Sequence, residues 1–200
     1  MAEAVSALNV RVGTPDQDVT GAILSAPLGS KLPTNEDMKV ASVTIDEAFE
    51  ASGYISSDGL TLTPDMSTSD INDWSGALVR RILEAFNGTL SWSMIEINDR
   101  SAKMAFGDEN VSTVEATAEH GTQQIIKIGA RLSEAKSWIF KMKDGRARIL
   151  IVVPNGQITT IDEISFNATD PVSLPVELST YPDAYGNSIY IYTDDGVVSA

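Results

Sequence analysis

Short apolar runs rich in β-branched and aromatic residues dominate the chain from residue 138 onward, and turn-forming residues separate them. The runs read WIFKMK, RILIVV, IDEISFN, VSLPVELST and SIYIYT. Asp-Gly, Pro-Asn-Gly and Asp-Pro sequences stand between them, together with a turn cluster over residues 182–187. Short strands at regular spacing, with turn signals between them, are typical of an antiparallel β-sandwich or β-barrel. The pattern therefore predicts a mainly β fold.

The N-terminal part of the chain is less regular. LNVRVG (8–13) predicts a short strand, and glycines and prolines then recur up to residue 33. Such a segment builds a core poorly, so residues 1–40 are predicted to form an extended arm. The spacing of Thr44 and Glu47 matches a capping box, and Gly53 is placed to end a short helix that starts there.

The middle of the chain predicts one more helix and two more strands. Asn98 or Asp99 can cap a short helix that runs to Phe106 and is closed by a glycine. Residues 111–119 and 122–132 alternate in the manner of strands. We therefore expect one short helix beside the sheet.

Residues 55–75 are polar and acidic and show no clear period. A structureless segment of this length is unusual inside a compact domain unless it has a function. We predict a long loop here that contacts a neighbouring subunit.

Residues 77–86 give conflicting signals. Their apolar side chains fall at helical spacing, and the residues are good helix formers. However, Asn87-Gly88 follows at once and then TLSWSMIEI alternates, which is a hairpin signal. Local evidence alone slightly favours a helix.

Pro175 lies inside a predicted strand. Proline cannot donate a hydrogen bond to a sheet ladder, so this strand is expected at a sheet edge or at a bulge. An exposed edge must be protected or used for pairing.

Composition narrows the class of protein. The chain has 200 residues, of which 42% are hydrophobic, and no cysteine. This is enough apolar sequence for a sizeable core. The missing thiols exclude disulfides and thiolate sites and suit a protein made in a reducing cytosol. No apolar run has the length that a membrane helix requires.

The net charge of −14 is unevenly distributed. Residues 1–75 carry −9, residues 76–150 carry +2, and residues 151–200 carry −7, with Arg148 as the last basic residue. Nucleic-acid binding requires a basic footprint, and this chain has the opposite. The excess of acid favours solubility or a surface that lets another polyanion pass without sticking.

Candidate chemistry is sparse. His120 is the only histidine and is interpreted as a polar turn residue. The acidic clusters do not match the alternating oxygen ligands of a calcium loop. No phosphate-binding glycine loop or nucleophile elbow occurs. The sequence thus predicts no cofactor, no metal and no catalytic residue.

Basic residues concentrate at Arg80-Arg81 and around the Asp144-Gly145 turn, where Lys141, Lys143, Arg146 and Arg148 lie. This second group is interpreted as an exposed hairpin or as one half of a charge pairing between subunits.

Four passages resemble the major tail tube proteins of long-tailed, non-contractile bacteriophages. They are GAILSAPLGSKLPT followed by FEASGYISSDGLTLTPD, then DINDWSGALVRRILEAFNGTLSWSMIEIN, the short capped helix, and WIFKMKDGRARILIVVPNGQITTIDEISFN with VELSTYPDAYGNSIYIY. Their order and spacing hold over nearly the whole chain. Each passage is moderately specific, because the family has no invariant catalytic motif.

The resemblance implies a single tail-tube domain over residues 1–200, an antiparallel β-sandwich with one flanking short helix. It also implies that 77–86 is a strand of an inner hairpin. Six copies are expected to close into a ring with a continuous inner barrel, and rings to stack into a tube through which DNA leaves without specific binding. The implied partners are other copies of the chain and the tape measure, tail terminator and distal tail proteins. The implied location is the virion tail, with no membrane association, after synthesis in the host cytoplasm.

Contacts between subunits are expected at nine residues: Asp58, Leu60, Pro64, Asp70, Trp74, Arg80, Arg81, Lys143 and Arg146. Two other functions remain as alternatives. One is a monomeric β-sandwich that binds or adheres to a host surface, and the other is an enzyme with paired carboxylates among its 28 acidic residues.

Overall fold

The computed structural model describes residues 10–17 and 21–198. Their strands and helix are β1 (Thr14–Pro15), β2 (Ile23–Pro27), β3 (Glu50–Ala51), β4 (Thr61–Asn72), β5 (Leu78–Met94), α1 (Asp99–Phe106), β6 (Val111–Val114), β7 (Gln123–Ile126), β8 (Lys136–Asp144), β9 (Ala147–Ile161), β10 (Leu174–Thr180) and β11 (Tyr190–Asp194). Single 3-10 turns lie at Asn35–Asp37 and Asp108–Asn110. Within this described part, no helix has the length and apolar character to cross a membrane.

Nine strands form one sheet in the order β3-β2-β8-β9-β10-β5-β4, with β1 added to β8 and β11 added to β9. All of these strand pairs are antiparallel, and β6 pairs separately with β7. The strand β9 connects two parts of the sheet, because β8 pairs along its first part and β10 along residues 156–161. The predicted mainly β, antiparallel, sandwich-like fold is confirmed. The described strands do not close into a barrel.

The core lies on both faces of the β8–β9 hairpin. On one face Trp92 packs edge-on against Trp138 and Phe140, with ring centroids 5.5 Å and 5.4 Å apart. On the other face Ile139 and Leu150 join a second apolar cluster. Strands buried on both faces carry continuous apolar runs, which explains the sequences WIF and LIVV.

The helix α1 forms where its caps predicted it. The Asn98 side chain accepts a hydrogen bond from the Ser101 backbone, and the Ser101 hydroxyl accepts one from the Asn98 backbone, both at 2.9 Å. The helix ends at Gly107, whose φ of 89° suits glycine. Its residues Met104 and Phe106 are buried in the core. The prediction of a helix up to Phe106 is confirmed.

Residues 78–86 of the segment 77–86 are strand rather than helix. They form the first part of β5, so the local preference for a helix is wrong and the strand implied by the resemblance is confirmed. Asn87 and Gly88 do not form a turn, because they pair with Asp65 and Pro64 of β4. The chain reverses direction at 73–77 instead.

Several other segments also differ from expectation. Within 55–75, residues 61–72 are the strand β4 rather than a loop. The expected helix after Thr44 is absent, since the Asp46 carboxylate accepts a bond from the Ala48 backbone and the chain then enters β3. Of the expected arm, residues 23–27 form a strand between β3 and β8.

Four predicted strands are shorter or absent. Residues 10–13 form no strand, and 1–9 and 18–20 lie outside the described residues. The strands β6 and β7 cover only parts of 111–119 and 122–132, and β9 ends at Ile161. These segments carry a strand pattern but lack a paired neighbour along their full length.

Pro175 does not lie at an edge, because β10 runs between β5 and β9. The Pro175 carbonyl accepts a hydrogen bond from the Asp162 backbone N–H, so this side of Pro175 faces the end of β9. In an antiparallel strand the nitrogen of a residue points to the same side as its carbonyl. The nitrogen that lacks a hydrogen therefore lies where the pairing with β9 ends. A register shift follows nearby, between Glu177 and Leu178. The expected edge position is wrong, and the end of the ladder accommodates the proline.

Candidate assembly surface

The outer part of the β4–β5 hairpin, residues 65–87, extends away from the rest of the sheet, and we call it the ribbon. The strand β10 pairs with β5 only from Met94 to Thr89, so beyond that point the two ribbon strands pair only with each other. Eight residues from 65 to 72 correspond to about 26 Å of strand. The ribbon is therefore a long, narrow projection.

The turn at residues 73–77 closes the ribbon, and we call it the tip. The Asp73 carboxylate accepts from the Ser75 hydroxyl at 2.7 Å and from the Ala77 backbone at 2.9 Å. These bonds hold the pKa of Asp73 below its usual value despite some opposing desolvation. Gly76 supplies the positive φ of 86° that the turn requires. Trp74, next to the Asp73 cap, is fully exposed.

One face of the ribbon continues the core-facing side of the sheet. Leu62 and Leu90 form an opposed pair there, and Leu90 is buried. The next pairs on this face, toward the tip, are Pro64 with Gly88 and then Met66 with Phe86. Met66 is 63% exposed, because the protein body ends before this pair.

Apolar side chains are exposed along the whole ribbon, on both of its faces. They are Met66, Ile71, Trp74, Leu78, Val79, Ile82, Leu83 and Phe86. Two register shifts, after Ser67 and after Ile71, place Glu84 and Val79 in bulges. A two-stranded ribbon is marginally stable in water, and exposed apolar patches of this extent mark interaction sites.

The total surface supports the same interpretation. The chain exposes 12902 Å². A compact monomer of this mass exposes about 9,100 Å². The excess of roughly 3,800 Å² is several times the area that one partner contributes to a standard protein interface.

The ribbon carries one internal ion pair. Arg81 donates two hydrogen bonds to the Asp70 carboxylate, at 2.7 Å and 3.0 Å. These bonds lower the pKa of Asp70 and raise that of Arg81. Arg80 points to the opposite face and makes no ion pair with the described residues. Because the pair is exposed, it contributes little to stability.

The structure brings some of the predicted contact residues together and separates others. Pro64, Asp70, Trp74, Arg80 and Arg81 all lie on the β4–β5 hairpin. Asp58 and Leu60 precede β4, at the opposite end of the hairpin from the tip. Lys143 and Arg146 lie at the β8–β9 turn.

Asp58 and Leu60 border a groove of about 520 Å³, which we call the groove. Most of its lining is apolar and includes Ile23, Ile55, Leu60, Phe140 and Met142. Polar residues also contribute, among them Ser56, Ser57, Asp58 and Lys141. Ile55, Leu60 and Met142 are half-buried against the main core. The groove is thus an apolar concavity on the protein body.

The basic group at the β8–β9 turn acts mainly inside the chain. Asp16 is buried and accepts hydrogen bonds or ion pairs from Lys143, at 2.9 Å, and from Arg148. Arg148 also donates to the carbonyls of Val40, at 3.2 Å, and Ala41, at 2.8 Å. Of the four basic residues, Lys141, Lys143, Arg146 and Arg148, only Arg146 is exposed.

These contacts shift the pKa of Asp16. Burial alone raises it, but the hydrogen bond from Lys143 and the charges of Arg148, Lys143 and Lys141 together lower it below its usual value. The carboxylate therefore stays charged inside the protein. Sequence reasoning missed Asp16, because its partners lie more than 120 positions away.

The part of the chain that the structure describes covers residues 10–17 and 21–198. This part of the chain contains no group of three His, Asp or Glu side chains placed to hold a metal ion. His120 lies in a turn, where its carbonyl accepts from the Thr117 backbone.

Comparison with known proteins gives a match to one protein family. A family model described as "Phage tail tube protein" matches residues 17–199. None of the curated proteins compared with the chain matches it significantly. Similar solved structures include the cap of the anti-feeding prophage, a tube-terminating cap, at 13% identity and TM-score 0.47, covering 97% of this chain and 100% of that one. Another is the sheath-tube complex of the extracellular contractile injection system PVC in its extended state, at 11% identity and TM-score 0.41, covering 96% and 100%.

Proposed function

Because this chain belongs to the phage tail tube protein family, a structural component of the virion tail, we propose that it is the repeating subunit of the tail tube. Six copies close into a ring, rings stack into a tube, and DNA leaves the capsid through the lumen. The observation that carries this proposal is the ribbon, a projection with apolar side chains on both faces that the rest of the described residues leave exposed.

Ring closure requires two complementary edges on each subunit. The four strands β4, β5, β10 and the second part of β9 are adjacent and antiparallel. The outer side of β4 is unpaired, and residues 157–161 of β9 have β10 on one side and no strand of the described chain on the other. Pairing β4 of one copy with β9 of the next is antiparallel again, so the sheet continues from subunit to subunit without a break in its alternation.

The outward face of these strands suits a channel for DNA. In the body of the protein it carries mainly hydroxyl groups, at Thr89, Ser91, Ser93 and Ser179, with one carboxylate at Glu177. A basic face would hold phosphates, whereas the part of this face on the protein body carries no lysine or arginine, and Arg80 lies further out, on the ribbon. A ring of six copies carries about −84 in total, which repels a polyanion rather than retaining it.

The remaining parts of the proposal follow from this role. The chain acts without catalysis, and its partners besides other copies are the tape measure, tail terminator and distal tail proteins. It is made in the host cytoplasm and functions in the virion.

The test is a change in the ribbon that leaves the body of the protein intact. We expect the wild type to form rings and tubes that negative-stain electron microscopy detects. Leu83→Glu places a charge on the exposed apolar face and is expected to form neither. Ile191→Glu is the matched control, because Ile191 is 54% exposed and Leu83 is 59% exposed. Ile191 lies on β11, away from both proposed edges.

Two results would contradict the proposal. One is a Leu83→Glu variant that assembles like the wild type. The other is a wild-type protein that stays monomeric at every concentration examined by analytical ultracentrifugation.

A further inference from the structure

An aromatic side chain projects at one end of the β4–β5 hairpin and an apolar concavity lies at the other. Trp74 sits in the tip and is fully exposed, although tryptophan is among the residues that contribute most to interfaces when buried. The groove begins at Leu60, the residue directly before β4. Projection and concavity thus stand at opposite ends of one hairpin.

The separation between them is set by β4. Its 12 residues span about 40 Å at 3.3 Å per residue. A second copy displaced by this distance along the strand direction brings its groove to the first copy's tip. Since the two surfaces differ, the contact is heterologous and repeats without closing on itself.

Size and charge also match. The groove's volume of about 520 Å³ falls in the range of sites that bury ligands larger than an indole ring. Lys141 lines the groove and makes no ion pair with the described residues. The tip carries the ionised carboxylate of Asp73 beside Trp74, whereas the neighbouring Asp70 is already paired with Arg81. The groove holds both the buried Lys141 and the carboxylate of Asp58, so it presents no net charge that would repel Asp73.

We propose that Trp74 of one copy inserts into the groove between residues 54–60 and 140–142 of the copy stacked next to it, and that this contact joins successive rings. The inference rests on the proposed tube function and specifies its axial contact. Because β4 supplies most of the distance from groove to tip, we expect the axial repeat of the tube to be close to the length of this strand, about 40 Å.

Disulfide trapping tests the contact directly, because the natural chain contains no cysteine. The double variant Ser57→Cys with Ser75→Cys places one thiol in the groove and one beside Trp74. Oxidation of assembled protein is expected to give a covalent ladder on a denaturing gel, since a disulfide forms only between closely placed residues. The control pair Ser75→Cys with Ser112→Cys, which has its second thiol on the exposed surface of β6, is expected to give none.

Substitution of the aromatic side chain provides a second measurement. Trp74→Ala should leave rings visible by negative-stain microscopy but raise the protein concentration needed for tubes at least about tenfold. Trp74→Phe should restore most of the tube formation. The matched control is Tyr185→Ala, because Tyr185 is also exposed in a turn capped by an aspartate, Asp183.

The outcomes separate this inference from the proposed function. Tubes that form without a Ser57–Ser75 ladder, together with a Trp74→Ala variant that behaves like Tyr185→Ala, overturn the axial contact and leave the tube function standing. A cysteine-free protein that forms neither rings nor tubes overturns both. A ladder and a selective loss of tubes in Trp74→Ala support the contact.

Discussion

Removing the charge of Asp16 should destabilise the fold strongly. The carboxylate is 3% exposed and neutralises Lys143 and Arg148, and Arg148 is itself buried. In Asp16→Asn these two cations remain, and one of them is left in the interior without its counter-charge. Breaking a buried ion pair by removing one partner costs about 3–5 kcal/mol.

The lower end of this range applies here. Lys143 can turn toward solvent, since its side chain is 40% exposed, and Arg148 keeps its bonds to the carbonyls of Val40 and Ala41. We therefore expect a loss of about 3 kcal/mol in the free energy of unfolding. For a domain of this size, that corresponds to a decrease of about 6–12 °C in Tm.

Urea unfolding followed by tryptophan fluorescence measures this loss. Trp92 and Trp138 are buried and report the core, whereas Trp74 is exposed in the folded protein already. The assay uses the Leu83→Glu background, in which the proposed assembly is expected to be lost, so that unfolding is not coupled to dissociation. Asp170→Asn is the control, because Asp170 is exposed. A loss below about 1 kcal/mol, equal to that of the control, would refute the reasoning that the buried cluster depends on its carboxylate.

Three further results are expected. The pKa of Asp16 is lowered in the folded state, so its contribution to stability is complete above the unfolded pKa of about 3.9 and is lost as the pH falls through the folded pKa. The difference in unfolding free energy between wild type and Asp16→Asn should therefore shrink in acid. A difference independent of pH would contradict this. Asn98→Ala removes the N-cap of α1 and should lower the free energy of unfolding by about 1 kcal/mol in the same urea assay, whereas an unchanged midpoint would show that packing alone fixes the helix start. Arg81→Ala breaks an exposed pair with Asp70 and should leave the urea midpoint of the monomer unchanged, so a clear decrease would mean that the ribbon depends on this pair.

The sequence predicts those parts of the fold that depend on near neighbours. The alternation of Leu90, Trp92 and Met94 indicates a strand with one buried face, and those three side chains are indeed in the core. The cap at Asn98 indicates the helix start, because its hydrogen bonds join residues three positions apart. Acidic charge and missing thiols are likewise properties of composition alone.

The candidate site was predicted only in part. Asp70 and Trp74 are predicted at a contact surface because they lie in a long polar segment, and Arg81 because it belongs to one of the two basic groups. The structure places all three on one projection. Whether they contact another copy stays a prediction. Met66, Leu83 and Phe86 were not singled out, because an apolar side chain in a sequence is normally assigned to the core. Only the end of β10 pairing at Thr89 shows that these side chains lie beyond the body.

By itself, the sequence determined a mainly β, antiparallel chain with one capped helix and an acidic surface, since propensity, capping and charge act over a few residues. The tertiary structure decided that residues 78–86 are strand, because β4 supplies their hydrogen-bond partners across a turn that local periodicity does not reveal. It also decided that Asp16 is buried between Lys143 and Arg148. Such long-range contacts form only when the whole sheet folds and brings distant segments together, so no local pattern encodes them.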